Sequence, residues 1–190
     1  MGVDISGKDP IIRSPKPSWP ENWDNYTDEQ KSEYFKILRQ WEKENPGDYF
    51  RSNWWGWRPL VILSQVAMEN AGLDYSMDGW GSNDGAGLNN SEECMNLANA
   101  LEYILDTDDN LQNDDDVIYI NLGSWVNAQG GFVSEEQSEL LNEDWLIGEI
   151  RFTQVVGYNG NIYSPSHSAP VWHVKNWINF LKECGGFEIW

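Results

Sequence analysis

The sequence predicts an α+β fold: a single compact, mainly helical domain over residues 1–190, with a small sheet and an aromatic-rich core. Composition supports one core, because 40% of the 190 residues are hydrophobic and the chain contains 12 Trp, 8 Tyr and 6 Phe. Helical periodicity between recognisable start and stop signals supports the helices. Short strand-like segments at both ends and in the second half support the sheet.

The first half of the chain predicts one strand and three helices. Thr27 and Gln30 form a capping box at the start of the first helix, and Pro59 fits the first turn of the second helix. Asn90 and Glu93 are a capping pair for the third helix. In order, the predicted elements are a strand at residues 3–5, a helix from the capping box to Pro46-Gly47, a helix from Pro59 to about Asn70, a glycine-rich loop at 74–89 and a helix after Asn90.

The second half predicts strands between two further helices. The segment 117–122 is rich in β-branched residues, which is typical of a strand. Ser134 and Gln137 cap a short helix, Asn159-Gly160 is a hairpin-turn signal, and Ser164-Pro165 is expected to break the strand pattern. In order, the predicted elements are a strand at 117–122, a short helix at 135–144, one or two strands within 149–164, a helix at about 170–183 and a short strand at 187–190.

The net charge of −19 comes entirely from the middle of the chain. Residues 59–150 contain 19 acidic residues and no Lys or Arg, whereas the two flanking parts carry 12 charges of each sign. Such a block repels nucleic acid and anionic membranes and attracts a basic partner. It also fits a solvated surface that resists aggregation. We therefore expect no direct binding to nucleic acid or to a membrane.

The sequence predicts neither a metal site nor a secretory signal. The cysteines at 94 and 184 and the histidines at 167 and 173 are too few and too scattered for a zinc site. The acidic segment that begins at Asp106 lacks the glycine and glutamate of an EF-hand. No apolar run approaches the roughly 18–20 residues of a membrane span, and the first residues do not form a secretory signal. We expect a cytoplasmic protein with free thiols, no metal and no cofactor.

Three tryptophans and two arginines mark the densest candidate site: Arg51, Trp54, Trp55, Trp57 and Arg58. Indole rings stack on a base, and guanidinium groups bind phosphate in a fork. Because a proline disfavours helical geometry in the residue before it, we expect Arg58 just outside a helix N-terminus, where free N–H groups favour an anion. The same tryptophans also fit the main core, and the sequence leaves both interpretations open.

The glycine-rich loop is the second candidate segment, with Asn83, Asp84, Gly85 and Gly87 as its candidate ligand contacts. A glycine-rich loop that leads into a helix N-terminus is an arrangement that binds phosphates, but neither nucleotide-binding fingerprint is present. We predict that this loop and the Trp-Arg segment lie together in space.

Four separated segments resemble a widespread family of small, uncharacterised proteins of phages and bacteria. They are residues 1–7, residues 49–60, residues 83–88 and the end of the chain from Phe180 to Ile189. The resemblance supplies no catalytic residue. It implies that polar motif residues such as Asp4, Arg51 and Asp84 are poor candidates for pure packing, and that the motifs surround one pocket. It also suggests a phage setting, in which interference with host defence is a candidate role. Residues 106–165 depart from the family pattern.

The leading hypothesis is a small-molecule binding protein, a phage counter-defence protein that sequesters a nucleotide-derived immune signal. A tryptophan would stack on the base, arginines with Lys8 would hold phosphate, and Asn83 or Asp84 would bind ribose hydroxyls. The candidate ligand-binding residues are Asp4, Lys8, Arg51, Trp54, Trp55, Trp57, Arg58, Asn83, Asp84, Gly85 and Gly87. The expected partner is a nucleotide-like small molecule, and self-association is compatible with this hypothesis.

Two other classes of function remain open. In the first, the acidic middle block acts as a DNA mimic that covers a basic host protein, and the Trp cluster is core. In the second, His167 beside Ser166, or His173, serves as a base in an enzyme. The sequence contains no nucleophile motif, metal cluster or Cys-His pair that would anchor such a mechanism. Binding is therefore favoured over catalysis.

Overall fold

A computed structural model describes residues 2–141, 150–151 and 154–190. Within those ranges no helix combines the length and apolarity needed to cross a membrane. The helices and strands, in chain order, are β1 (Gly2–Gly7), α1 (Asp28–Glu44), β2 (Tyr49–Asn53), α2 (Trp54–Ala71), α3 (Ser91–Thr107), β3 (Val117–Asn127), α4 (Glu135–Ser138), β4 (Ile150–Arg151), β5 (Val155–Val156), β6 (Ile162–Pro170), α5 (Val171–Glu183) and β7 (Phe187–Ile189). The predicted α+β class is confirmed, with helical residues more numerous than strand residues.

Two antiparallel sheets replace the single small sheet of the prediction. One has the strand order β2-β1-β7, so that it joins both ends of the chain, and the other has the order β4-β3-β6-β5. Helix α2 contacts strands of both sheets, while α3 packs against α2 and α5. Helix α2, which carries the Trp-Arg segment, therefore bridges the two sheets, and α5 also contacts a strand of each.

The centre of the core is a cluster of large aromatic side chains, each at most 1% exposed: Trp57, Trp80, Trp177, Phe180 and Phe187. Their ring centroids lie 5.1–6.5 Å apart in edge-to-face and stacked pairs, a range in which aromatic pairs attract each other. The indole Nε1 of Trp57 donates to the carbonyl oxygen of Trp80 at 2.7 Å, and that of Trp177 donates to Ser64 Oγ at 3.2 Å. These bonds satisfy two buried donors.

The predicted start of the second helix at Pro59 is wrong. Helix α2 begins five residues earlier, at Trp54, and Asn53 is its N-cap, because the Asn53 side chain accepts a hydrogen bond from the Gly56 amide at 2.8 Å. Pro59 is buried inside the helix, and Arg58 lies one turn into it instead of outside its N-terminus. Strand β2, which precedes the helix directly, was also not predicted.

The second half contains both confirmed and incorrect predictions. Strand β3 extends beyond the predicted 117–122, and its pairing with β6 is interrupted between Ile120 and Trp125. Strand β6 runs through Ser164-Pro165, which was expected to break it. The Asn159-Gly160 turn does join β5 to β6, whereas α4 ends at Ser138 instead of continuing to 144. Residues 142–149, 152 and 153, on which parts of the helix and strand predictions fall, lie outside the described residues.

The capping predictions are confirmed. Thr27 accepts from the Gln30 amide while the Gln30 side chain accepts from Thr27, and Asn90 accepts from the Glu93 amide at 3.0 Å. Helix α1, however, fully buries only Trp41 of its apolar face. The apolar face of α1 is therefore much more exposed to solvent than the helical periodicity of the sequence predicts.

We expect Trp57→Phe to destabilise the protein more than Trp80→Phe, although the two variants lose the same ring volume. Trp57→Phe leaves the buried carbonyl of Trp80 without its donor, which costs about 1–3 kcal/mol. Trp80→Phe instead removes an indole N–H that is buried and, among the described residues, has no hydrogen-bond partner.

Urea unfolding of both variants measures the difference. It should be at least about 1 kcal/mol in the stated direction, and equal losses of unfolding free energy would contradict the role of the Trp57–Trp80 hydrogen bond.

Candidate functional site

The Trp-Arg segment is divided between core and surface by the helical rotation of α2. Successive residues of a helix are turned by about 100°, so residues three and four apart share a face. Trp57 faces inward and is fully buried, whereas Trp54 is half-buried and Trp55 is 52% exposed. Arg58 follows Trp54 by four positions and Trp55 by three. Trp57 is thus part of the core, whereas the rings of Trp54 and Trp55 share the outer face of α2 with Arg58.

A cavity of about 400 Å³ lies on this outer face. Its lining residues are Trp54, Trp55, Arg58, Gly81 and His167. Gly81 belongs to the glycine-rich stretch and reaches the helix because its neighbour Trp80 accepts the hydrogen bond of Trp57. The Trp-Arg segment and the glycine-rich stretch therefore lie together where Gly81 meets α2, as predicted. The volume falls within the range of about 300–1,000 Å³ that is typical of small-molecule sites.

A chain of hydrogen bonds supports the arginine of this cavity. Nη1 of Arg58 lies 3.4 Å from Nε2 of His167, Nδ1 of His167 lies 3.0 Å from Ser166 Oγ, and the Ser166 hydroxyl contacts that of Ser124. Because arginine only donates, Nε2 must accept, and the ring proton of neutral His167 then lies on Nδ1. Burial, with a further contribution from the Arg58 charge, lowers the pKa of His167 and keeps it neutral.

This order of donors bears on the enzyme alternative. With its proton on Nδ1, His167 donates to Ser166 and offers that hydroxyl no base. His167 is therefore a positioning residue for Arg58. The hypothesis from the sequence that His167 serves as a catalytic base does not fit this geometry. Within the part of the chain that the structure describes, Arg58 forms no ion pair with a carboxylate.

The ring of Trp55 forms the accessible wall of the cavity. Its centroid lies 4.8 Å from that of His167 and 6.2 Å from that of Phe132, both at tilted angles. About half of the side chain remains exposed. A planar ligand that contacts the free part of this ring would have the Arg58 guanidinium beside it, one helical turn away.

Asp4 and Arg51 lie on the three-stranded sheet and not in this cavity. They are opposite each other in the β1–β2 register, with Arg51 Nε 3.5 Å from Asp4 Oδ1, and the Tyr49 hydroxyl donates to the same carboxylate. Burial and this hydrogen bond raise the pKa of Tyr49 to about 12. Lys8 is exposed, and its amide donates to Gly186. The single pocket that would have included these residues is therefore not found.

The glycine-rich loop contributes less to the cavity than predicted. Asn83 and Asp84 do not line it, and Asp84 instead accepts from the Ser82 hydroxyl at 2.8 Å. Gly85 donates its amide to Ile189 at 2.8 Å. A Cβ at Gly87 would lie 2.1 Å from the carbonyl oxygen of Phe187, at a φ of 157°. Gly87 is therefore required by close backbone packing against β7, which explains its place in the motif without a ligand.

The described residues contain no group of three or more His, Cys, Asp or Glu side chains that could hold a metal ion. Both cysteines are buried and free. Comparison of the chain with protein families, with curated proteins and with solved structures gives no match.

His173 is the more strongly perturbed histidine. Its Nε2 lies 2.9 Å from Ser52 Oγ, and its ring stacks on Phe50 with the centroids 5.3 Å apart. Burial lowers its pKa from 6.5 to about 4. Between these two values the unfolded chain binds a proton that the folded protein does not, so this histidine makes folding less favourable as the pH falls below about 6.5.

We expect His173→Gln to reduce the loss of stability on acidification. Glutamine retains a hydrogen-bonding group for Ser52 but does not titrate. Between pH 7 and pH 4.5 the wild-type protein should lose on the order of 2 kcal/mol more unfolding free energy than the variant. Urea unfolding at both pH values measures this, and the carboxylates common to both proteins cancel in the comparison. Identical pH dependence in the two proteins would show that His173 is not buried in its neutral form.

Proposed function

We propose that this chain is a small-molecule binding protein whose ligand is a nucleotide or a nucleotide derivative. The observation that carries the proposal is the placement of an exposed indole, Trp55, and the Arg58 guanidinium on one helix face around one cavity. These are the two groups that recognise the two parts of a nucleotide, the base and the phosphate.

The arrangement of the cavity suits such a ligand in three ways. Trp55 is about half exposed and can stack on a ligand ring, and Trp54 lines the cavity while packing against the core. Among the described residues Arg58 meets one hydrogen-bond acceptor, His167, and the guanidinium has four further N–H groups for a ligand. Gly81 has no side chain, so the ligand can approach the backbone of the glycine-rich stretch closely.

The charge of the whole protein does not prevent this binding. Although the net charge is −19, charges separated by more than about 8–10 Å are largely screened at physiological ionic strength. The ligand would experience mainly Arg58 and the local donors.

The sequence resemblance adds a setting to the proposal. In a phage protein, a site that binds a nucleotide-derived signal and does not cleave it would remove that signal from a host defence system. Sequestration is consistent with the donor order at His167, which leaves Ser166 without a base.

A second candidate, the acidic DNA mimic, is supported by one observation. Aspartates in the last turn of α3 and in the segment after it are exposed to solvent, namely Asp106, Asp109, Asp114 and Asp115. This function predicts binding to a basic protein with a steep dependence on salt. Nucleotide binding predicts a ligand-induced rise in melting temperature in the absence of any protein partner.

We expect Arg58→Ala to weaken nucleotide binding by about 10- to 150-fold, because it removes a charge-assisted fork of about 1.5–3 kcal/mol. Arg58→Lys should restore only part of the affinity, since an ammonium group lacks the planar fork. A thermal-shift screen of mononucleotides, dinucleotides and cyclic oligonucleotides identifies the ligand, and calorimetric titration measures the change. Because Arg58 is exposed and its contact with His167 Nε2 is long, at 3.4 Å, unfolding free energy should change by less than about 1 kcal/mol.

The matched control is Lys36→Ala, which removes one cation from an exposed helix position that does not line this cavity. It should leave nucleotide affinity within about twofold, well below the effect of losing a charge-assisted fork. An Arg58→Ala protein that binds with full affinity would overturn the proposed site. A loss shared equally by Lys36→Ala would show that the effect is one of general charge.

A further inference from the structure

A second and larger depression lies between α1 and α5, over strand β2. Its volume is about 800 Å³. We call it the α1–α5 groove, and its lining includes Arg39, Glu42 and Lys43 of α1, Arg51 of β2, and Trp172, Asn176 and Asn179 of α5. It shares no lining residue with the Trp55–Arg58 cavity.

The charge of this groove is opposite to that of the protein. Arg39, Lys43 and Arg51 line it together with one carboxylate, Glu42, although the chain has 31 acidic residues and only 12 Lys and Arg. Arg51 lies 3.5 Å from Asp4. Within the described ranges neither Arg39 nor Lys43 forms an ion pair, whereas six other cations do.

The spacing of the two unpaired cations has a cost for helix α1. Arg39 and Lys43 are four residues apart, so their like charges lie on the same helix face and destabilise it by a few tenths of a kcal/mol. A glutamate at position 39, four residues before Lys43, would instead have stabilised the helix. Local rules that a sequence breaks in this way often mark a functional surface, and an anion bound between the two side chains would remove the repulsion.

The opposite wall offers an aromatic ring and two amides. Trp172, Asn176 and Asn179 are spaced by four and three residues, which puts them on one face of α5. Trp172 is 47% exposed. The groove thus combines cations on one side with a stacking surface and hydrogen-bonding amides on the other.

We propose that the α1–α5 groove is a second ligand site, which binds a small molecule carrying several phosphate groups. The phosphates lie against Arg39, Lys43 and Arg51, and an aromatic part of the ligand stacks on Trp172. A single phosphate would occupy a small part of 800 Å³ and would meet only some of the cations. This site is independent of the proposed nucleotide site at Arg58.

Isothermal titration with sodium tripolyphosphate, orthophosphate and ATP tests the proposal. Wild-type protein should bind one tripolyphosphate saturably and orthophosphate more weakly. Arg39→Gln/Lys43→Gln should weaken tripolyphosphate binding by about tenfold or more. The control Lys31→Gln/Lys36→Gln removes the same charge from the same helix outside the groove and should change the affinity by less than twofold.

Two further variants separate the parts of the proposal. Trp172→Ala should weaken ATP binding and leave tripolyphosphate binding unchanged, and Arg58→Ala should leave tripolyphosphate binding unchanged. Circular dichroism confirms that each variant is folded. Absence of saturable tripolyphosphate binding by the wild type, or an equal loss in the two double variants, would overturn the site. Equal loss of ATP and tripolyphosphate affinity in Trp172→Ala would overturn the stacking role.

Discussion

The hydrogen bond from the Trp57 indole to the Trp80 carbonyl is the constraint on which the arrangement of the outer face depends. It fixes the rotation of α2, because Trp57 can reach Trp80 only when it faces the core. With Trp57 inside, the helical repeat places Trp55 and Arg58 outside. The same bond holds the glycine-rich stretch against the helix, so that Gly81 completes the cavity. One buried contact therefore sets both the core and the candidate site.

Local signals in the sequence were sufficient for much of the fold. The capping residues of α1 and α3 and the Asn159-Gly160 turn act over a few residues and were identified correctly. The start of α2 was missed because Pro59 suggested a first turn, while the actual cap, Asn53, is the last residue of an unrecognised strand. Tertiary packing determines where this helix begins. Burial of Trp57 favours the helical conformation there, although Pro59 follows two positions later.

The candidate site could be predicted only in part for the same reason. The outer half of the Trp-Arg segment does line a cavity, but sequence alone does not reveal that Arg51 and Arg58 lie on different surfaces, since strand β2 ends and α2 begins between them. The glycine-rich stretch suggested a phosphate-binding loop. One of its glycines, Gly87, instead packs against the backbone of Phe187. The α1–α5 groove combines residues far apart in the chain, such as Arg39 and Trp172, which no local pattern connects. The net charge of the whole chain also gives no sign of a cationic groove, because 9 of the 12 Lys and Arg residues lie within residues 1–58.

The most direct test of the nucleotide site is an NMR titration that monitors the indole N–H groups of the 12 tryptophans, with the Trp54, Trp55, Trp57 and Trp172 signals assigned by Trp→Phe variants. Addition of the nucleotide found by thermal shift should move the Trp55 signal most, move that of Trp54 less and leave the buried Trp57 signal in place. Perturbation confined to Trp172, or an unchanged Trp55 signal at saturating ligand, would contradict binding at the Trp55–Arg58 cavity.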